Sequence, residues 1–303
     1  MNGIILINKT QNLTSHDIVY KVKKIVKEKV GHAGTLDPMA TGVLPILIGK
    51  GTLCSKYLIN HDKIYETTIQ LGKKTDTADS EGMVIEEKEV KKDNLQEENI
   101  QKVLNTFIGK QEQIPPMYSA IKVNGKKLYE YARKGEKIEI KPRNIVIYSL
   151  DLLNIDKDKK QIALKISCSK GTYIRSLCED IAKSLDTVGY MFKLNRIKVD
   201  KFGIEKSITL EEIENSNSSY EFINKHLITI EELFNENEEL ILDNKRLLMF
   251  LNGVKLKINK KGGVYRIYVN NLNKEYRDIE FIGIGVVSDG FLKRDIIIKE
   301  LSK

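Results

Sequence analysis

Apolar and polar residues alternate in two stretches of the chain: Tyr65, Thr67, Ile69 and Leu71 fall on one side of the first, and Ile162, Leu164, Ile166 and Cys168 on one side of the second. Successive strand side chains point to opposite faces, so each stretch predicts a half-buried strand whose inner side must be covered. Helical spacing marks the covering elements. Ile18, Val19, Val22, Ile25 and Val26 follow a Ser15 cap, and Ile100, Val103, Leu104 and Phe107 recur ahead of a stop near Gly109. A third helix follows the turn Lys170-Gly171-Thr172, with Ile174, Leu177, Cys178, Ile181 and Leu185 inward and Arg175 in its first turn. Residues 3–7 read as a strand, 43–48 as a short apolar strand or buried segment, and the Glu- and Lys-rich stretch 83–99 as a surface excursion.

Residues 207–235 are helical and polar, with an exposed low-complexity connection at 215–219, and a domain boundary is expected near 235. The tail beyond is strand-like at 264–269, 280–287 and 295–299, which predicts a small β-rich module. A length of 303 residues suits one larger domain and this smaller one. The net charge of +8 favours polyanionic partners. Between 110 and 143 lie nine Lys/Arg and four Glu, a net +5, interleaved with Tyr118, Tyr129 and Tyr131. That mixture suits phosphates and exposed bases, and it equally suits a solvated charged face. Cys54, Cys168 and Cys178 have no close C-x-x-C spacing and are expected as buried thiols. The first residues lack a basic region before their short apolar run, and nothing later reaches membrane-span length, so a cytoplasmic protein is expected.

Chemistry concentrates at residues 31–42, where three glycines, a proline and one acid predict a shaped loop. It is not a phosphate-binding P-loop: six residues separate Gly42 from Gly49, and Gly51 follows Lys50 where Ser or Thr should stand. Asp37 precedes Pro38, which biases its backbone towards an extended shape that can project the carboxylate. An Asx-type turn, with Asp37 bonding local N–H groups, is the alternative. His32 and Asp37 lack a third ligand nearby, so no metal is expected.

Several long segments, in order and covering nearly the whole chain, resemble the TruB type of pseudouridine synthases. They are Asn8-Lys9 with Thr14-Ser15, GHAGTLDPMATGVLPILIGKGT at 31–52, KIYETTIQLGKKTDTADSEG at 63–82, IPPMYSAIKVNGKKLYEYARKGE at 114–136, SKGTYIRSL at 169–177, and Leu194-Asn195-Arg196. The resemblance implies an α+β catalytic domain over 1–234 with a mixed, largely antiparallel sheet, and a PUA-like β-barrel over 235–303 that binds RNA. It makes Asp37 the essential acid, Tyr65 the aromatic that stacks on the target base, and Arg175 the cation paired with Asp37. Tyr65 as an ordinary strand tyrosine is the bland alternative. His32 would wedge into the gap left by an extruded uridine, Asp79 would bond the flipped nucleotide unless it is an exposed turn residue, and Lys9 would support the loop.

The implied activity is uridine-to-pseudouridine isomerisation at position 55 of the tRNA T-loop. It is redox-neutral and calls for no cofactor. The implied protein is a monomer that needs no obligatory protein partner and no membrane. The 110–143 segment would grip the T-arm, and the tail the acceptor end. A guide-dependent synthase and a non-catalytic RNA-binding or RNA-folding protein are the competing readings.

Overall fold

The computed structural model describes residues 1–136, 138–270 and 279–299; Lys137 of the basic segment lies outside them. Its centre is a ten-stranded sheet with the order Ile228–Thr229, Gly3–Lys9, Thr41–Ile48, Gly189–Val199, Lys63–Leu71, Gln161–Cys168, Arg143–Asp156, Gly109–Gln113, with Val30–His32 and Phe202–Gly203 paired at the side. Neighbouring strands run antiparallel except where Asn195 and Arg196 lie parallel to Thr41 and Gly42. The fold is therefore α+β with a mixed, largely antiparallel sheet, as expected.

The alternating stretches form adjacent strands, with Tyr65 opposite Ile166 and Ile69 opposite Ile162. Their inner side meets the helices Ser15–Val26, Glu97–Thr106 and Ile174–Ser184 in one apolar core. Thr14, rather than Ser15, caps the first of these helices. Its hydroxyl accepts the Asp17 N–H at 3.1 Å while the Asp17 carboxylate accepts the Thr14 N–H at 2.8 Å. Ser15 is instead buried, and its hydroxyl binds both the N–H and the carbonyl of Leu36 at 2.9 and 3.1 Å. The helix start thus anchors the 31–42 loop.

The tail forms a second, five-stranded sheet beginning at Glu239–Leu242, with the helix Asn244–Leu251 packed on it. Its last strand is Phe291–Ile297, four residues earlier than expected. Ile284 and Ile296 of this sheet share a core with Ile4, Leu6, Val43 and Leu47 of the first, so the two sheets are joined by apolar packing. Cys54, Cys168 and Cys178 are free and buried, as expected. Among the described residues no helix is long and apolar enough to cross a membrane.

Candidate active site

The loop between the strands Val30–His32 and Thr41–Ile48 is held mainly through its own carbonyls. Lys9, fully buried, donates from Nζ to the carbonyls of Pro38 and Thr10, each at 3.0 Å. Arg196, 1% exposed, donates to the carbonyls of Val43 at 2.8 Å, Gly34 at 3.0 Å and Thr35 at 3.4 Å. Gly42 closes the loop at φ +105°, where a Cβ would sit 2.2 Å from the Arg196 carbonyl oxygen, so no larger residue fits there. Inside the loop the Ala40 N–H bonds the backbone carbonyl of Asp37 at 3.0 Å, which leaves the carboxylate to point elsewhere.

It points to Arg175. Asp37 Oδ2 lies 3.2 Å from Arg175 Nε, with side chains 33% and 8% exposed, so a partly open carboxylate meets a buried guanidinium. The same guanidinium reaches Asp79 Oδ2 at 3.4 Å, the Thr77 carbonyl at 3.2 Å and the Tyr118 carbonyl at 2.9 Å. Asp79 is buried rather than an exposed turn residue, and it accepts from the Thr77 hydroxyl at 2.6 Å and the Glu81 N–H at 3.1 Å. Arg175 is aimed by its helix, whose entry is clamped by Gln113: the carboxamide binds the Tyr173 carbonyl and N–H at 3.0 and 2.8 Å.

Burial sets the electrostatics. It raises the Asp37 carboxyl above its ordinary value, outweighing the downward pull of Arg175; the Asp79 charge pushes the same way as burial and Lys9 opposes it. Arg175 and Lys9 therefore limit the cost of a buried charge without abolishing it. Burial also lowers Lys9 to about 8, against the upward pull of Asp37 and Glu81. Tyr65, buried opposite Arg196, has its phenol raised by burial and is neutral near pH 7. Exposed Glu81, without an expected role, carries a carboxyl raised by desolvation and by Asp79 and Asp37.

Asp37, Arg175, Asp79 and Lys9 are thus brought together, and Tyr65 stands on the strand beside them. His32 is half-buried, its Nδ1 has no partner, and the charged groups acting on it are Arg196 and His16. Among the described residues no group of three or more His, Cys, Asp or Glu is placed to hold a metal ion. Arg196 and Gln113 carried no assigned role in the sequence, and Tyr118 was expected as part of the basic segment's RNA-facing mixture, whereas its backbone carbonyl accepts from Arg175. The Leu194-Asn195-Arg196 and 114–136 segments ran through Arg196 and Tyr118 without showing these contacts, because the partners lie far away in the chain.

Residues 22–174 match the profile of the TruB family pseudouridylate synthase (N terminal domain), and residues 175–235 that of the tRNA pseudouridylate synthase B C-terminal domain. The chain is 43% identical over 296 residues to the tRNA pseudouridine synthase B of Clostridium kluyveri, a match covering 95% of this chain and 96% of that protein. It is 42% identical over 286 residues to the protein of the same name from Clostridium tetani, covering 94% and 95%. Among solved structures, one titled as a Cbf5-Nop10-Gar1 complex superposes with TM-score 0.66 over 98% of this chain and 84% of the matched chain. At 23% identity that likeness speaks for the fold alone.

Proposed function

The chain belongs to the TruB family of pseudouridine synthases, and from that premise we propose that it isomerises a single uridine of tRNA to pseudouridine, at position 55 of the T-loop. The observation that carries the reading is the pair Asp37–Arg175, a partly open carboxylate fixed at 3.2 Å by a buried guanidinium that also holds Asp79. The reaction breaks the bond from uracil N1 to the ribose, turns the base, and joins C5 to the same sugar carbon, while the C5 proton leaves and the freed N1 takes up a proton. Attack on the sugar carbon, attack on the ring and removal of a sugar proton are the three tasks open to a carboxylate here, and each needs an ionised oxygen. Arg175 and Lys9 favour that ionised form of Asp37 against burial.

The target uridine reaches Asp37 by leaving its stack, with Tyr65 as the flat apolar wall against the base and Asp79 as an acceptor beside it. His32, half-buried with an unpartnered Nδ1, fills the vacated position. The basic segment at 110–143 grips the T-arm without a guide RNA. The tail module meets the acceptor end: six Lys/Arg and no acid lie between residues 244 and 262, alongside exposed Leu248, Met249 and Val254. The protein acts as a cytoplasmic monomer, where its substrate is.

The test is an unmodified tRNA transcript tritiated at uridine C5, incubated with purified protein alone, with the product uridine mapped by carbodiimide adduct and primer extension. One tritium released per tRNA, with the stop at the T-loop, is expected. Tight binding without release would instead favour the guide-dependent or purely RNA-binding reading.

A further inference from the structure

Arg196 is among the largest fully buried side chains of the protein; it donates to three backbone carbonyls and also meets the phenol of Tyr65. Burying a guanidinium is costly, and an apolar side chain of similar volume would fill the same space without that cost. What the guanidinium does there is specific: its three acceptors, Gly34, Thr35 and Val43, belong to one segment and flank Asp37 on both sides. Lys9 takes the carbonyl of Pro38 between them. The backbone of Arg196 sits against Gly42 on one side, in parallel register, and opposite Tyr65 on the other.

We infer that Arg196 is a positioning residue for the reaction, holding residues 34–43, and with them Asp37, at the setting Arg175 requires. It has no hydrogen bond to Asp37 or Arg175 and acts through the loop carbonyls, while its contact with the Tyr65 phenol ties the same guanidinium to the wall of the site. A planar fork with several N–H donors can serve three carbonyls at once; the single ammonium of a lysine cannot hold the same set. A displacement of about 1 Å at a reacting group costs roughly 10²-fold in rate, so a slackened loop lowers turnover without loosening the grip on tRNA. The inference rests on Asp37 being the reacting group.

The experiment compares wild type, Arg196→Lys, Gly34→Ala and Asp37→Asn by single-turnover tritium release at a temperature well below each variant's Tm, with tRNA Kd measured by filter binding. Gly34 has φ +100°, a conformation that strains any residue with a Cβ, and its carbonyl is one of the three that Arg196 holds, so this second variant disturbs the same tether through the backbone, from a half-buried loop position and without opening the core. The expected result is a rate reduced about 100-fold in Arg196→Lys and at least tenfold in Gly34→Ala, with Kd changed less than threefold in both. A purely structural arginine would lower Tm and leave the rate of the folded protein near wild type, and that outcome overturns the inference. If Arg196→Lys does not fold, Gly34→Ala decides alone, and a wild-type rate there overturns it. Full activity in Asp37→Asn would instead remove the reading of the site on which the inference rests.

Discussion

Arg175 makes four contacts with one planar group: two carboxylates and two carbonyls drawn from three separate segments. Arg175→Lys keeps the charge and loses the fork, so kcat should fall about 100-fold while tRNA Kd stays within a few fold, as rapid-quench and filter-binding measurements would show. Because burial already raises the Asp37 carboxyl, the acid limb of the rate profile should lie above the ordinary carboxylate range, and Arg175→Gln should move it to still higher pH. Lys9 gives the opposite limb. With its pKa lowered to about 8, the rate should decline above that pH as the ammonium that holds Pro38 deprotonates. The stability sign also follows: between about 8 and the ordinary 10.5 the unfolded chain binds more protons than the folded one, so stability contributed by this group rises with pH, and Lys9→Met should flatten that slope in urea titrations. At this scale the sequence made Asp37 conspicuous through its glycines and Pro38 but left the Asx turn open. What separates the two is a partner 138 positions away, which no local spacing reveals.

Elements were legible where the two-residue period ran unbroken, as in Lys63–Leu71 and Gln161–Cys168, and illegible where bulges interrupted it. Arg143–Asp156 shifts register between Ile147 and Ser149 and again between Leu152 and Asn154, and Gly189–Val199 shifts twice as well. Each shift flips the inward face, so neither strand shows a clean alternation even though Gly189–Val199 lies at the middle of the sheet and carries Arg196. The helix Asn244–Leu251 was masked differently: Leu248 and Met249 are exposed, which blurs its apolar stripe. The segment from 110 to 143 carries its own prediction. Lys122 and Lys126 are exposed on a short two-stranded ribbon, so replacing both with Ala should reduce the slope of log Kd against log salt by about one to two and raise KM with little effect on kcat. An unchanged slope would assign this face to solvent rather than to RNA.

For the molecule as a whole, the first sheet and the tail are joined by shared apolar packing of Ile284 and Ile296 with Ile4, Leu6, Val43 and Leu47. A net charge of +8 distributed over both parts suits a substrate that is itself extended and polyanionic. The β-rich tail could be read from patterning, and the α+β class with its mixed sheet followed from the resemblance. The convergence of Lys9, Asp37, Asp79 and Arg175 could not, because it depends on strand order and on carbonyls whose positions are set by the completed fold. The account stands on Asp37 as the reacting carboxylate, and the most direct measurement is tritium release from C5-labelled tRNA by Asp37→Asn beside wild type at equal tRNA occupancy. Loss of release to background with Kd unchanged within a few fold is predicted; release at the wild-type rate from the variant would contradict it.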